Sequence, residues 1–397
     1  MKNQRIAIVS TKQPGTNPRM RKNADALSAA GHDVLVLYAF NALWADETDH
    51  HVFDNAPWGH NRIGGHPKEA SRVYTLQSLR RKWARWTGNL GSSFNPNLTD
   101  YLHRLEEFQP DLVIGHNPGS LPVLSEWSKR GPVLFDVEDD HPGEFALASP
   151  ESQRVAQLEA NEIVNLTHIS AASPLIGEQY QLRFPHLQVT PIDNAFERAL
   201  QPAFRSLKPD TLRLVWFSQV VGLDRGIQKF LQALDPIADL RIHVTLIGLA
   251  DETVRRELEA ALSSPHHRLS FKAPLSEKAM FEELGCHHIG LALETGKTRN
   301  RKLCRTNKLF CYPLAGCLTL ASHTRSQAQF MEEYPQAGAV FESNEGLIRL
   351  LRDWAQHPKV LQGKRLATWQ LGRDHLNWET ESQKLVALVD KILQVAS

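Results

Sequence analysis

The 397-residue chain carries almost no net charge: 45 basic residues stand against 44 acidic ones, a formal balance of +1. That balance calls for no nucleic-acid partner, so any electrostatic role has to be local. No apolar run approaches the roughly 18 residues that a membrane-spanning helix needs. Only Ile6 to Val9 follow the polar N-terminal residues, too few for the core of a secretory leader. Cysteine is scarce: Cys286, Cys304, Cys311 and Cys317 all lie in the last third, and none is spaced as CxxC. Such a set makes a poor disulfide framework and reads as reduced thiols in a cytosolic protein. Several motifs are missing as well. No GxGxxG follows the first apolar strand, no GxxxxGK[ST] is present, and no GxSxG occurs. These absences speak against a dinucleotide-binding fingerprint, a P-loop ATPase and a hydrolase nucleophile elbow. The pairs His50–His51, His266–His267 and His287–His288 lack the HxxxH spacing that puts two rings on one helix face. With no Asp-x-Asp after a strand either, no metal site is expected.

What remains is the composition of a globular protein, 42% apolar and 22% charged, long enough for two domains. Short apolar runs at Ile6–Val9, Val34–Tyr38, Leu112–Ile114, Val133–Phe135 and Ile169–Ala171 alternate with helical patterns. One such pattern runs from Arg19 to Ala30, with Gly31 placed to end it. Strands apolar on both faces and separated by helices predict a parallel sheet covered on both sides. The rhythm pauses over Leu200–Thr211, read as a linker, and restarts. Leu212–Phe217, His243–Ile247, Leu269–Phe271, Ile289–Leu293, Leu318–Ala321 and Ala339–Phe341 form a second set of strands. Helices are expected to start near Arg225, Glu252, Glu277, Thr306 and Ser326. The predicted fold class is therefore α/β: two Rossmann-like, doubly wound parallel-sheet domains over 1–200 and 201–375, with a cleft between them. The final helix, in 376–397, is placed to pack back on the first domain. In such sheets ligands sit beyond the carboxyl ends of strands, so the informative residues follow each strand.

Two segments stand out there. LRLVWFSQVVGLDRGIQKFL, Leu212–Leu231, reads as strand, loop and helix with Arg225 and Gly226 in the first turn. A cation at a helix start opposes the macrodipole, and a diphosphate lying over it would supply a reason for its placement. RTNKLFCYPLAGCLTLAS, Arg305–Ser322, reads as a polar turn, a short apolar helix, Gly316 and a buried strand. Thr306 is placed to cap that helix and Lys308 to reach an anionic ligand.

The run TNKLFCYPLAGCLTLAS resembles the nucleotide-sugar-binding segment of family-four-type retaining glycosyltransferases of the GT-B fold. NPRMRKNADALSAAGHDVLVL is similar to the first loop, helix and second strand of that family. GPVLFDVEDDHPGEF is similar to its acceptor-side loop, TPIDNAFE to its turn into the linker, and LDRGIQKFLQAL to its basic helix. IHVTLIG and LSFKAP follow in the same order, so the resemblance spans roughly residues 5 to 355. It implies a hexosyltransferase-like enzyme that moves a sugar from a nucleotide-sugar donor to a glycan or lipid-linked acceptor, as in polysaccharide biosynthesis. Retention of configuration by front-face displacement is implied too, with the nucleotide-sugar as substrate, no cofactor and no metal. Arg225 and Lys308 would hold the donor diphosphate, Thr306 and Asn307 would hydrogen-bond it, and Gly248 and Ala273 would border the base. Glu294 is a further candidate for sugar contact. Arg19, Glu138, Asp139 and His141 fall on the acceptor side. Cys311 stands where the family places a glutamate against the donor ribose, and Glu138 where it often has histidine. The carboxylates Glu138, Asp139 and Asp140 are placed either to orient acceptor hydroxyls or to cap the turn that follows. An NDP-sugar 2-epimerase of the same fold and a non-catalytic binding scaffold remain open as alternatives.

One stretch is locally basic. Ser71 to Thr99 holds Arg72, Arg80, Arg81, Lys82 and Arg85 and no acid, with Trp83 and Trp86 interleaved. The plainer reading buries both tryptophans in the core. The other makes Arg80, Arg81, Lys82 and Arg85 a patch for an anionic membrane surface, and the protein a peripheral one at the inner face.

Overall fold

A computed structural model describes residues 3–396; Met1, Lys2 and Ser397, at the ends of the expected first domain and final helix, lie outside it. The chain divides into two compact units. The first runs to Asp193 and also takes Thr298–Asn300 and the chain from Ser382 onward. The second comprises Asn194–Lys297 and Arg301–Glu381.

The first unit holds seven strands: β1 (Arg5–Ser10), β2 (Asp33–Tyr38), β3 (Gly59–Arg62), β4 (Leu112–His116), β5 (Val133–Val137), β6 (His168–Ala171) and β7 (Gln188–Pro191). They pair in the order β3-β2-β1-β4-β5-β6-β7, all parallel. Ile6, Ala7, Ile8 and Val9 are completely buried, as strands covered on both faces must be. β3 and β7, the two edge strands, carry no apolar run and escape the sequence reading. The final helix, Trp378–Ala396, buries Leu385, Leu388, Val389 and Ile392.

The second unit repeats the plan with six parallel strands: β8 (Leu212–Val220), β9 (Ile242–Leu249), β10 (His267–Lys272), β11 (Ile289–Ala292), β12 (Leu318–Ser322) and β13 (Gly338–Phe341). Their order is β10-β9-β8-β11-β12-β13. In both sheets the order reverses beside the first strand, at β1/β4 and at β8/β11. That switch point opens a crevice at the strands' carboxyl ends. The helix Lys308–Ala315 is held against β11 by a close approach. A Cβ on Gly290 would lie 2.1 Å from the Tyr312 ring, so only glycine lets the ring lie on the strand. The Tyr312 hydroxyl then donates to the Leu291 carbonyl at 2.9 Å, and this contact helps fix where Lys308 points.

Candidate active site

Four charged residues of the second unit, Arg225, Glu294, Arg301 and Lys308, act on one another near the β8/β11 switch point. After β8 a single turn, Leu223–Arg225, leads to Gly226 at φ +78°. That left-handed residue interrupts helical geometry, so the helix Ile227–Gln232 begins only beyond it. Arg225 thus lies in the turn ahead of the helix, not in its first turn as the sequence suggests. Its nearest carboxylate is the neighbouring Asp224, 3.7 Å away. Lys308 is half-buried at the start of its helix, its ammonium 5.3 Å from the ring centres of both Trp216 and Phe217. Among the described residues that ammonium makes no hydrogen bond and no ion pair. Burial pulls its pKa below the ordinary lysine value. Glu294 and Cys311 act upward, while Arg225 and Arg301 act further downward. Arg301 in turn holds Glu294, Nη1 to Oε2 at 3.0 Å, and the Glu294 backbone N–H donates to the Ser322 hydroxyl at 2.8 Å. Three cations and one carboxylate therefore act on one another here, and the carboxylate is already engaged.

Other expectations fare differently. Thr306 does not cap the helix. Asn307, already in helical φ/ψ, occupies the N-cap without a side-chain bond, and the first turn closes from the Leu309 N–H to the Thr306 carbonyl at 3.0 Å. The Thr306 hydroxyl is left buried without a partner. The Asn194 amide stands 3.5 Å from Asn307 Oδ1. Gly248 lies inside β9 rather than in a loop after it. At φ +149° any Cβ there would come within 2.3 Å of the Ser218 carbonyl oxygen. Ala273 follows β10 and is exposed. Cys311 is completely buried within the apolar cluster of Leu309, Phe310 and Tyr312.

In the first unit a chain of polar side chains runs under the β1/β4/β5 ends. Arg19 is buried, its Nε donating to both Asp136 oxygens at 2.9 and 3.1 Å and its Nη1 to the Ile192 carbonyl at 2.9 Å. Asn23 donates to Asp136 at 2.7 Å and stands 3.3 Å from His116 Nε2. His116 Nδ1 is 2.8 Å from Glu138, which also accepts from Asn17 at 2.6 Å. Burial pushes the Glu138 carboxyl up, but His116, Asn17 and the charge of His141 outweigh it and set it at about 2. As a fixed carboxylate it accepts the His116 Nδ1 proton, leaving Nε2 free to accept from Asn23.

Asp139 has the opposite fate. Burial and the charges of Glu144 and Glu138 push it up to about 6, against His141 and a 2.8 Å bond from the Asn300 amide. Asp140 is held by the Arg299 guanidinium, Nη2 at 2.8 Å, and caps nothing in the turn His141–Glu144. Burial would lower the His141 imidazole, yet Glu144, Glu159 and Asp139 together raise it above the ordinary histidine value. The sequence reading missed His116, Asn17, Asn23 and Asp136. For His116 and Asp136 the signal available was a polar residue inside each buried strand, LVIGH and VLFDV; Asn17 and Asn23 lie at and in the helix Pro18–Ala29.

The basic stretch forms the helix Ser71–Thr87. Trp83 and Trp86 are 65% and 82% exposed, so the plainer reading that buries them is overturned. Gln77 and Ala84 face the unit in their place. Of the histidine pairs, His287–His288 is buried in the second unit, while His50 and His51 are exposed. Burial lowers His287 and His288 to about 4 and about 3, and His287 Nε2 meets Thr245 Oγ1 at 3.1 Å. Among the described residues no three His, Cys, Asp or Glu side chains are grouped to hold a metal ion. None of the residues' helices is long and apolar enough to cross a membrane.

No family model and no curated protein sequence matches the chain. Solved structures do. Sucrose-phosphate synthase from Thermosynechococcus elongatus superposes with a TM-score of 0.68 at 15% identity, over 99% of this chain and 100% of that one. HepE from Anabaena, solved in complex with UDP, gives 0.69 at 12% identity over 98% and 100%. HepE has also been solved with UDP-glucose. A putative UDP-N-acetylglucosamine 2-epimerase from Listeria monocytogenes is more distant, at 0.55 and 12% identity over 100% and 98%. The chain has the fold of the GT-B glycosyltransferases, two Rossmann-like α/β domains with all-parallel sheets.

Proposed function

We propose that the protein is a retaining, metal-independent glycosyltransferase whose second unit binds a UDP-sugar. The observation that carries this reading is Lys308, an ammonium packed on two aromatic rings with no anionic partner, within electrostatic reach of Arg225 and Arg301. A cation desolvated without a counter-ion costs free energy, and a diphosphate supplies the missing charge. Lys308 and Arg225 would then hold the β-phosphate as the bond from sugar C1 to its oxygen breaks, stabilising the charge that develops there. Two fixed cations take over the role a divalent metal plays elsewhere. The acceptor hydroxyl attacks C1 on the face the diphosphate leaves, its proton passing to the departing phosphate oxygen, and configuration is retained. Asn307 and Thr306, whose hydroxyl lacks a partner, would add hydrogen bonds to the same phosphates.

Glu138, Asp139 and His141 would orient the acceptor hydroxyl. Arg19 acts as a positioning residue, because Asp136 already claims it. The exposed tryptophans and the basic residues beside them support a peripheral attachment to an anionic membrane. Supplying UDP-glucose and other sugar nucleotides without acceptor tests the activity. A transferase leaks sugar and UDP slowly, an epimerase exchanges C2, and a binding scaffold does neither. Either of the last two results would refute the proposal.

A further inference from the structure

The helix Ser71–Thr87 has two functional sides. Its exposed side shows Leu76 and Leu79, each 56% exposed, with Trp83 and Trp86. At 100° per residue these four fall within one quarter of the circumference, flanked by Arg80 and Lys82. Arg81 and Arg85 fall elsewhere, on the side of the buried Gln77. There they line a cavity of about 330 Å³ at the carboxyl ends of β1, β2 and β3, together with Lys12, Phe40, Tyr74 and Asn97. Of the four basic side chains read from the sequence as one patch, two therefore belong to a cavity and two to the rim of an apolar stripe.

The cavity is chemically one-sided. Lys12, Arg81 and Arg85 line it, and no acidic residue does. None of the three cations has an ion-pair partner among the described residues. Arg81 and Arg85 are one helical turn apart, where like charges repel. Asn97 is only 6% exposed, and its side-chain oxygen has no hydrogen-bond partner. The three cations are exposed and so within reach of a ligand from solvent, and beside an orphaned acceptor they fit one that brings both negative charge and a hydroxyl.

We propose that this cavity holds the phosphate or diphosphate head of the acceptor, and that the acceptor is a lipid whose chain lies along the Leu76–Trp86 stripe. The inference rests on the transferase reading for the word acceptor, but the anion site does not. The three cations fix the head, Asn97 Oδ1 accepts a hydrogen bond from a hydroxyl of the ligand, and the tryptophans sit at the depth of the lipid headgroups. Lys12 lies two residues beyond Ser10, the last residue of β1, and its backbone N–H donates to the Ser10 hydroxyl at 3.0 Å.

The test is made in a Lys308→Met background, so that pyrophosphate does not occupy the donor site. Calorimetry with inorganic pyrophosphate and with farnesyl diphosphate reads the cavity. Arg81→Gln/Arg85→Gln should weaken both by ~10-fold per guanidinium, with unchanged melting temperature. Arg80→Gln/Lys82→Gln should leave pyrophosphate binding intact while reducing sedimentation with vesicles of phosphatidylglycerol. Farnesyl diphosphate should bind more tightly than pyrophosphate, and Leu79→Ser/Trp83→Ser should remove that difference. Equal pyrophosphate affinity in Arg81→Gln/Arg85→Gln and its parent would overturn the anion site. Equal affinity for the two probes in the parent would overturn the lipid and leave a water-soluble phosphorylated acceptor. Absence of sugar-nucleotide hydrolysis by the wild-type protein would remove the transferase reading and leave the pyrophosphate result standing.

Discussion

Lys308→Met separates a functional cation from a structural one, because methionine keeps the apolar stem and removes only the charge. Two ring contacts are lost, each worth about 0.5–1 kcal/mol where solvent still reaches. Against that loss, the variant no longer desolvates an ammonium, nor sets it near Arg225 and Arg301. These contributions oppose one another, and the net change in stability should stay within about 1 kcal/mol, a shift in melting temperature of about 2–4 °C at most. Function has no such compensation. Removing one preorganised charge stabiliser costs about 10²–10³ in kcat. Losing a charged hydrogen bond to the diphosphate costs about 1.5–3 kcal/mol, or roughly 10- to 150-fold in UDP affinity. The measurements are UDP released from UDP-glucose, UDP titration by calorimetry, and thermal unfolding. Lys308→Arg should recover part of the UDP affinity but little turnover, since a planar fork does not reproduce a compact ammonium. A variant that unfolds many degrees lower yet binds UDP as tightly as wild type would refute the reasoning. Lys308 would then be a packing element for Trp216 and Phe217.

Asp139 gives two pH trends of opposite sign. Its folded pKa, raised to about 6, means that protonation favours the folded state. That contribution is complete below the unfolded value of about 3.9 and is lost as pH rises through about 6. Activity should run the other way, falling below about pH 6 as the carboxylate we propose to orient the acceptor is protonated; a rate profile without that limb, or one unchanged in Asp139→Asn, would exclude that role. Arg19→Met should cost about 3–5 kcal/mol in chemical denaturation, because Asp136 is left as an uncompensated buried charge. Replacing both partners by apolar residues should cost less; equal losses would mean that packing, not charge, matters there. Excess EDTA should leave sugar-nucleotide hydrolysis unchanged, and a loss restored by magnesium or manganese would contradict the metal-free reading of Lys308 and Arg225.

The buried strands were legible because a parallel sheet covered on both faces imposes apolar runs, and LRLVWF or HVTLI admit few other readings. GHNR and QVTP were not, since neither holds the apolar run that marks the edge strands LSF and AVF of the second sheet, and both owe their pairing to neighbours rather than to their own composition. Lys308 and Arg225 could be singled out by their places after strands. Arg301 could not, because in GKTRNRKLCR it looks like any solvated charge until the fold sets it against Glu294. Residue type alone suggested that Thr306 caps a helix, but a cap depends on backbone angles, and Asn307 had already entered the helix. Nor does helical spacing say which face turns inward. On Ser71–Thr87 a glutamine and an alanine are buried while two tryptophans are not.

The first unit is discontinuous: its sheet is complete by Pro191, yet the part of the final helix from Ser382 onward, which buries Leu385, Leu388, Val389 and Ile392, belongs to the same unit and is made only after the second unit. Lys391 reaches back to Gln188 across some two hundred positions of sequence, Nζ to Oε1 at 3.4 Å. Domains ordinarily fold in the order they leave the ribosome. Here the half synthesised first must wait with an uncovered apolar surface while the second unit, continuous but for three residues, emerges and closes. The vulnerable species in the cell is then a nascent chain with a finished second unit and an unfinished first one. Chaperone demand should then be governed by how soon the segment from Ser382 follows the second unit out of the ribosome.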